Sequence, residues 1–395
     1  MAYFSLKKWN FTVCFIVNIA KRRNIMKQIV YILAAAVFFT GMAFDVRAQE
    51  AETIQMAILL DTSSSMDGLI DQAKTNLWKI VNETAKAKKG GKAPKLQVAL
   101  YEYGNDSISA ETGYIRKVTA LTADLDLVSE KLFALTTNGG SEYCGQVIEK
   151  AVKDLSWNKK NDVYKVIYIA GNEPFSQGDT DYKKACKTSI SSGIIVNTIY
   201  CGGASDSDAA TWKDGASLAD GSFMSIDQNQ KVADIVAPQD AQILSLNEEL
   251  NKTYIAYGSG GYEKKERQAA QDSNSKMMAN EAAVQRTMAK AAPAYSNSGW
   301  DLVDAEKDGA VSVDKMKEDE LPDEMKKMSA AERKTYIEKK KKDREQIQGK
   351  IKKLSEERQK YVEKEMKKQS SDNTLDAAII KSIRKQAVKK GYTFE

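Results

Sequence analysis

The sequence predicts an α/β fold, a doubly wound and mainly parallel sheet across residues 53–258, followed by an α-helical C-terminal region. Three observations predict it. Short β-rich runs alternate with amphipathic helical segments from Thr53 to about Gly258, and strands joined by helical crossovers pair in parallel with helices on both faces. The first strand run ends in "ILLDTSSSMDG" (58–68), where a buried-looking apolar stretch meets one aspartate and several hydroxyls. After "YGSGGYEKKE" the composition shifts to Lys, Glu, Gln, Ala and Met, and strand signals almost vanish.

The elements follow in order. "TIQMAILLD" (53–61) reads as a strand, and 66–88 as a helix that places Leu69, Ile70, Ala73, Leu77, Ile80 and Val81 on one face. "GGKAPK" is a turn into the strand 96–104, with 113–121 as its antiparallel neighbour and a helix near 125–135. A helix over 142–157, the strand 164–171, a helix near 182–192 and the strand 194–202 continue the alternation. A short strand at 222–227 and a helix from 238 to about 257 close it. Beyond that, 262–292 reads as helical, 293–309 as a loop with an apolar anchor, and 321–368 as one long charged helix. In that helix Ile347, Ile351, Leu354 and Tyr361 form a seam that Arg358 interrupts, a spacing suited to a helical hairpin or a short coiled coil. The final helix, 375–388, offers Leu375, Ile379, Ile380 and Ile383 to a partner surface.

Residues 1–48 read as a targeting segment. Met26-Lys27 opens a basic stretch, 29–44 is an apolar run, and Val46-Arg47-Ala48 ends in residues a signal peptidase accepts, so cleavage is expected before Gln49. Met26 is an alternative start, and the run is short for a membrane span. The expected division is therefore 1–48 signal, 49–258 α/β domain and 259–395 helical region.

Removing that segment changes the charge. The chain holds 59 Lys/Arg and 54 Asp/Glu; residues 1–48 carry seven of the bases and one of the acids, leaving 52 against 53. A balance near −1 gives no global electrostatic case for nucleic acid. The chain has no histidine, which excludes Ser-His-Asp and Cys-His catalysis. A serine hydrolase would need a lysine base, and no S-x-x-K sits here: Met66 follows Ser63 by three residues and Gly68 follows Ser65. The chain is expected not to be an enzyme.

Asp61-x-Ser63-x-Ser65 at the exposed end of a strand suits a hard divalent cation, which takes carboxylate, hydroxyl and water oxygens. The bland alternative is a hydroxyl-capped helix start in which Asp61 bonds loop amides. Cys144 begins a helix and Cys201 ends a strand, both toward that end of the sheet, so a Cys144–Cys201 disulfide and buried free thiols are the two readings; Cys186 lies within a helix. Asp304-x-Glu306-x-Asp308-Gly309 resembles a calcium loop, but Lys315 stands where the bidentate glutamate belongs, so an acidic turn after Trp300, Leu302 and Val303 is expected. Glutamates interleave the lysine-rich helix at three- and four-residue spacing, the pattern of a solvated helix surface.

With D-x-S-x-S after the first strand, residues 53–258 resemble a von Willebrand factor type A (vWA) domain, whose metal-ion-dependent adhesion site begins with that motif. The resemblance implies a Rossmann-like sheet and a second loop, matched by "NGGSEYCG", in which Ser141 stands for the family's threonine. The third loop departs: Gly171 stands where the family has an aspartate, with Asn172 and Glu173 just behind. The implied ligand set is Asp61, Ser63, Ser65 and Ser141, with Glu173 reaching in, around Mg²⁺ in the first place and Ca²⁺ or Mn²⁺ as alternatives. The implied role is a binding protein whose protein partner donates a carboxylate to the cation; the targeting segment makes it an exported one, periplasmic in the first place with the cell surface or secretion as alternatives, touching the membrane only through its signal peptide. The second reading is a structural envelope protein with a vestigial site, joining partners through its helical tail.

Overall fold

The computed structural model describes residues 52–227, 235–366 and 375–394; the expected targeting segment lies outside them. The strand runs become β1 (Thr53–Asp61), β2 (Ala87–Lys88), β3 (Lys95–Tyr103), β4 (Ile115–Thr122), β5 (Tyr164–Gly171), β6 (Ile195–Tyr200), β7 (Phe223–Ser225) and β8 (Thr393–Phe394). Six of them form one sheet in the order β4-β3-β1-β5-β6-β7, parallel except for β4. β1 and β5 lie at its centre, and β5 is buried at every residue.

The helices in the α/β part are α1 (Asp67–Ala85), α2 (Leu125–Phe133), α3 (Cys144–Asp154), α4 (Tyr182–Ser191) and α5 (Ala209–Leu218). They are followed by α6 (Asp240–Asn251), α7 (Gly261–Met278), α8 (Asn280–Ala291), α9 (Leu302–Lys307), α10 (Asp323–Lys326), α11 (Ala330–Met366) and α12 (Leu375–Val388). α3, α4 and α5 cover one face of the sheet through Val147, Ile148, Cys186 and Trp212. The other face meets α1 and α2, and residues far along the chain join the same core: Ala289 of α8, Ile347 and Ile351 of α11, and Ile379 and Ile383 of α12. The described residues belong to one compact unit.

Local chemistry sets the helix starts. Asp124, Asp181 and Asp301 each accept a hydrogen bond from a first-turn amide, at 2.9, 2.8 and 2.9 Å. The expected long helix divides because Ser329 and Glu332 cap α11 reciprocally, with Ser329 N donating to Glu332 Oε2 at 2.7 Å. The expected helix 262–292 is two, α7 and α8, broken where Ala279 is extended. The expected loop 293–309 contains α9, and α1 stops at Ala85 because 87–88 pair with β8.

α12 holds the sheet through buried polar groups as well as apolar ones. Tyr164 Oη donates to Gln386 Oε1 at 2.8 Å, Gln386 Nε2 donates to Asn197 Oδ1 at 2.6 Å, and the Tyr168 and Ser382 hydroxyls meet at 2.7 Å. Each group finds a partner, so none carries an uncompensated desolvation cost. Arg358 does not interrupt a seam; it is buried and donates to Asp240 Oδ1 at 2.6 Å and to Glu281. Arg344, one side of the same helix, reaches Asp301 at 2.6 Å, Asp304 at 2.7 Å and the Thr253 carbonyl at 2.8 Å. The calcium-loop resemblance dissolves into these contacts: Asp304 serves Arg344, and Glu306 Oε2 accepts from Val313 N at 3.0 Å.

The Cys144–Cys201 disulfide is corrected. Cys144, Cys186 and Cys201 are all free and buried. Cys144 packs with the α3 face, whereas Cys201 packs in the core on the opposite face of the sheet, and a bond needs Cβ atoms about 3.5–4.5 Å apart. Burial pushes the Cys186 thiol up to about 12 and raises the other two well above the ordinary thiol range. A thiol reagent is therefore expected to leave the folded unit unlabelled and to modify all three thiols after denaturation without reductant; one thiol reacting would restore the disulfide.

Candidate metal centre

Asp61 is the last residue of β1, at the carboxyl edge of the parallel sheet, where α/β folds bind ligands. It lies in register with Tyr103 on β3, and Leu60 pairs with Ala170 on β5. The row Tyr103, Asp61, Gly171 therefore crosses three adjacent strands. Asp61 is fully buried. Its Oδ1 accepts from Ser63 N at 2.8 Å, and its Oδ2 is buried with no hydrogen-bond partner. An ionised oxygen left so would be costly. Burial first, opposed by the Ser63 amide and then reinforced by the charge of Glu142, pushes the carboxyl up to about 7.

The hydroxyls line up beside it. Ser63 Oγ and Ser65 Oγ are 3.3 Å apart, and Asn172 Nδ2 donates to Ser65 Oγ at 3.2 Å, which ties the β1 loop to the β5 loop. The Asn172 Oδ1 atom is buried without a partner. Glu142 is buried against the same point: its Cγ and the Asp61 Oδ1 both lie under 3 Å from where a Cβ on Gly104 would stand, at 2.8 and 2.9 Å. Gly104, at φ +79°, is what lets the two carboxylates approach. Burial and then the charge of Glu173 raise Glu142 above the usual carboxylate range.

The loop carrying Ser141 is pinned over the end of β3. Asn138 N donates to Thr62 O at 3.0 Å and Asn105 Nδ2 to Thr136 O at 2.8 Å. Ser141 itself is half-buried directly before Glu142 and takes no part in the Ser63–Ser65–Asn172 chain. Glu173, half-buried, acts on Asp61 and Glu142 through its charge. Asp61, Ser63 and Ser65 are thus brought together, with Glu173 at the margin and Ser141 one residue off. Glu142 and Tyr103 are what sequence reasoning missed; adjacency to Ser141 was the available signal for Glu142.

The glycine in the third loop has a structural reason. Tyr103 crosses the end of β1 to donate to the Ala170 carbonyl at 2.9 Å. A Cβ on Gly171 would stand 2.6 Å from the Tyr103 hydroxyl and 3.0 Å from Asp61 Oδ2. The phenol occupies the room an aspartate would need. Gly171→Asp is expected to destabilise the fold by about 1–3 kcal/mol through overpacking, and Tyr103→Phe in the same chain to recover part of that loss. Thermal melts of both check it; equal melting of Gly171→Asp and the parent would contradict it.

The residues fit a weakly held hard cation. The orphaned Asp61 Oδ2, the clustered acids and the serine hydroxyls are the oxygen set such an ion takes. Among the described residues no group of three or more Asp, Glu or Cys side chains is gathered closely enough to hold a metal on its own, so hydroxyls and water must complete any shell.

The comparison with protein families agrees with the architecture. Residues 55–236 match the family described as von Willebrand factor type A domain. Among solved structures, the chain is similar to proximal thread matrix protein 1 from the mussel byssus, at 16% identity over 44% of this chain and 42% of that one, TM-score 0.32. It is also similar to the SpRpn10 vWA domain, at 17% identity over 46% of this chain and 99% of that one, TM-score 0.33. An aerotolerance-related membrane protein from Bacteroides fragilis NCTC 9343, with multiple mutations to serines, matches at 17% identity over 45% and 93%, TM-score 0.30. The chain spans less than half the length of the mussel protein. No curated protein matches it.

Proposed function

The chain carries a von Willebrand factor type A domain at residues 55–236, and from that premise we propose that it is an exported, non-enzymatic binding protein that engages a protein partner through a divalent cation at the β1 edge. Domains of this family generally serve protein interaction. The observation that carries the cation is Asp61, a fully buried carboxylate with one unpartnered oxygen, set beside the Ser63 and Ser65 hydroxyls. Asp61 would supply the anionic ligand, Ser63 and Ser65 the hydroxyls, and Glu142 or Glu173 a second charge; Ser141 would join through water. Mg²⁺ is the first candidate, with Ca²⁺ or Mn²⁺ as alternatives. The cation would offer a Lewis-acidic position to a carboxylate from the partner.

Among the described residues no helix is long and apolar enough to cross a membrane, and export rests on the sequence of residues 1–48. The test is partner capture from an envelope fraction with Mg²⁺, with chelator, and with Asp61→Ala. Loss in the last two supports the reading, and equal capture in all three removes the cation from it. The Tyr103 phenol beside Gly171 favours the second reading, a structural envelope protein with a vestigial site. Calorimetry without any heat of binding at millimolar Mg²⁺, Ca²⁺ and Mn²⁺ would select it.

A further inference from the structure

The loops at the carboxyl edge of the sheet are one-sided in charge. Segments 61–67, 104–114, 134–143, 171–181 and 201–208 lead out of β1, β3, α2, β5 and β6, and they hold two, two, one, three and two acids, with no lysine or arginine. The whole chain carries 59 lysines and arginines in 395 residues, so their absence from these 47 is a local sorting of charge. Hydroxyls and amides hold the acids: the Thr137 hydroxyl donates to Asp67, Gly203 N to Asp206 at 2.8 Å and Lys183 N to Asp181 at 2.8 Å. The lysines that reach the loops stop at carbonyls, Lys213 Nζ at Ala204 O (2.8 Å) and Lys74 Nζ at Leu135 O (3.4 Å). At the margins Lys183 is paired with Asp214 at 3.3 Å and Arg116 with Glu102. Among the described residues none of the ten acids has an ion-pair partner.

Contacts between the loops join these charges into one rim. Asn138 Nδ2 donates to Ser107 Oγ at 3.2 Å, and a Cβ on Gly139 would stand 3.5 Å from Asp106 Oδ2 and 3.7 Å from Ser64 Oγ. Burial and then the charges of Asp206, Asp208 and Glu173 raise the Tyr200 phenol, so acids of two loops act on one group. β3, β1, β5 and β6 are adjacent, and at the usual strand spacing the rim spans about 15 Å between the outer two. That is wider than one ion covers, and a divalent cation at Asp61 would offset only two of the ten formal charges. Asp61 is the second observation: it is wholly buried in the middle of this edge with its Oδ2 unpartnered, a group that calls for a positively charged ligand. Tyr114 and Tyr143, both half-buried, pack edge-on with ring centroids 6.0 Å apart, and aromatic faces of this kind take guanidinium and ammonium groups.

Resting on the reading that this edge engages a protein, we propose that the partner presents a basic face, with lysines and arginines set over the rim. Any carboxylate it offers to the cation stands among those bases. Opposite potentials steer and select such a partner, and an acidic one is repelled.

The experiment follows association of labelled peptides with residues 49–395 by fluorescence anisotropy, the probes being alternating arginine and glycine and its glutamate and glycine counterpart. Only the basic peptide should bind, and its association should slow as salt rises. Asp106, Glu111 and Asp179 are exposed and lie outside the proposed cation ligands. The variant Asp106→Lys, Glu111→Lys, Asp179→Lys should slow association by about tenfold or more. The variant Glu345→Lys, Glu356→Lys, Glu357→Lys, on the exposed face of α11, changes net charge equally and should stay within about twofold of the parent. Matched thermal melts confirm that both are folded. Chelator should leave peptide binding intact while it abolishes cation-bridged capture, so the two readings fail separately. Binding of the acidic peptide, equal slowing in the two variants, or association indifferent to salt would each overturn the proposal.

Discussion

Asp61→Asn is expected to abolish divalent-cation binding and, without cation, to make the fold more stable above neutral pH. Its carboxyl is fully buried and rises from 3.8 to about 7, chiefly through burial. A folded-state value above the unfolded one means that the native chain holds its proton over a range in which the unfolded chain has released it. Stability from this group is therefore present at low pH, falls as pH climbs between those two values, and is flat beyond. The shift corresponds to about 4 kcal/mol at most, and the neutral amide removes the whole slope. Urea melts between acid and neutral pH check it: the parent should lose stability across the interval and the variant should not. Parallel profiles would contradict the assignment. The same proton competes with the cation, so Mg²⁺ affinity should climb about tenfold per pH unit below 7 and level off above it.

Arg344→Ala is expected to cost about 3–5 kcal/mol. The guanidinium is buried and donates to Asp301, Asp304, the Thr253 hydroxyl and the Thr253 carbonyl, and it stacks 4.2 Å from the Tyr254 ring centroid. Truncation leaves Asp301, which is wholly buried, without its cation. The urea midpoint should fall at unchanged slope. Lys342→Ala, exposed on the same helix, should stay within about 0.5 kcal/mol of the parent. A loss below about 1 kcal/mol for Arg344→Ala would show that α11 is not held through this contact.

These two side chains also show where sequence reasoning reached and where it stopped. The alternation of apolar runs and amphipathic helices was enough for the sheet, because period and strand composition are local signals. The D-x-S-x-S motif put Asp61 and both serines at one turn after β1, and they do lie together there because the three positions are local to that turn. Arg358 was misread because its partners lie tens of residues away: it interrupts an apolar seam in sequence, yet in space it meets Asp240 and Glu281. Tyr103 was invisible for the same reason, as its role depends on crossing β1 to reach β5. The docking of α12 on the sheet rests on Tyr164, Tyr168 and Asn197, whose polar atoms inside buried strands are a signal only once their partners are known.

The central claim is a cation held at Asp61. Titration calorimetry of Mg²⁺ into residues 49–395 above neutral pH tests it most directly. One site per chain is predicted, with a dissociation constant on the order of millimolar given the few carboxylates present, and no heat in Asp61→Asn. An identical isotherm for the parent and Asp61→Asn, or none for either with Mg²⁺, Ca²⁺ and Mn²⁺, would contradict it.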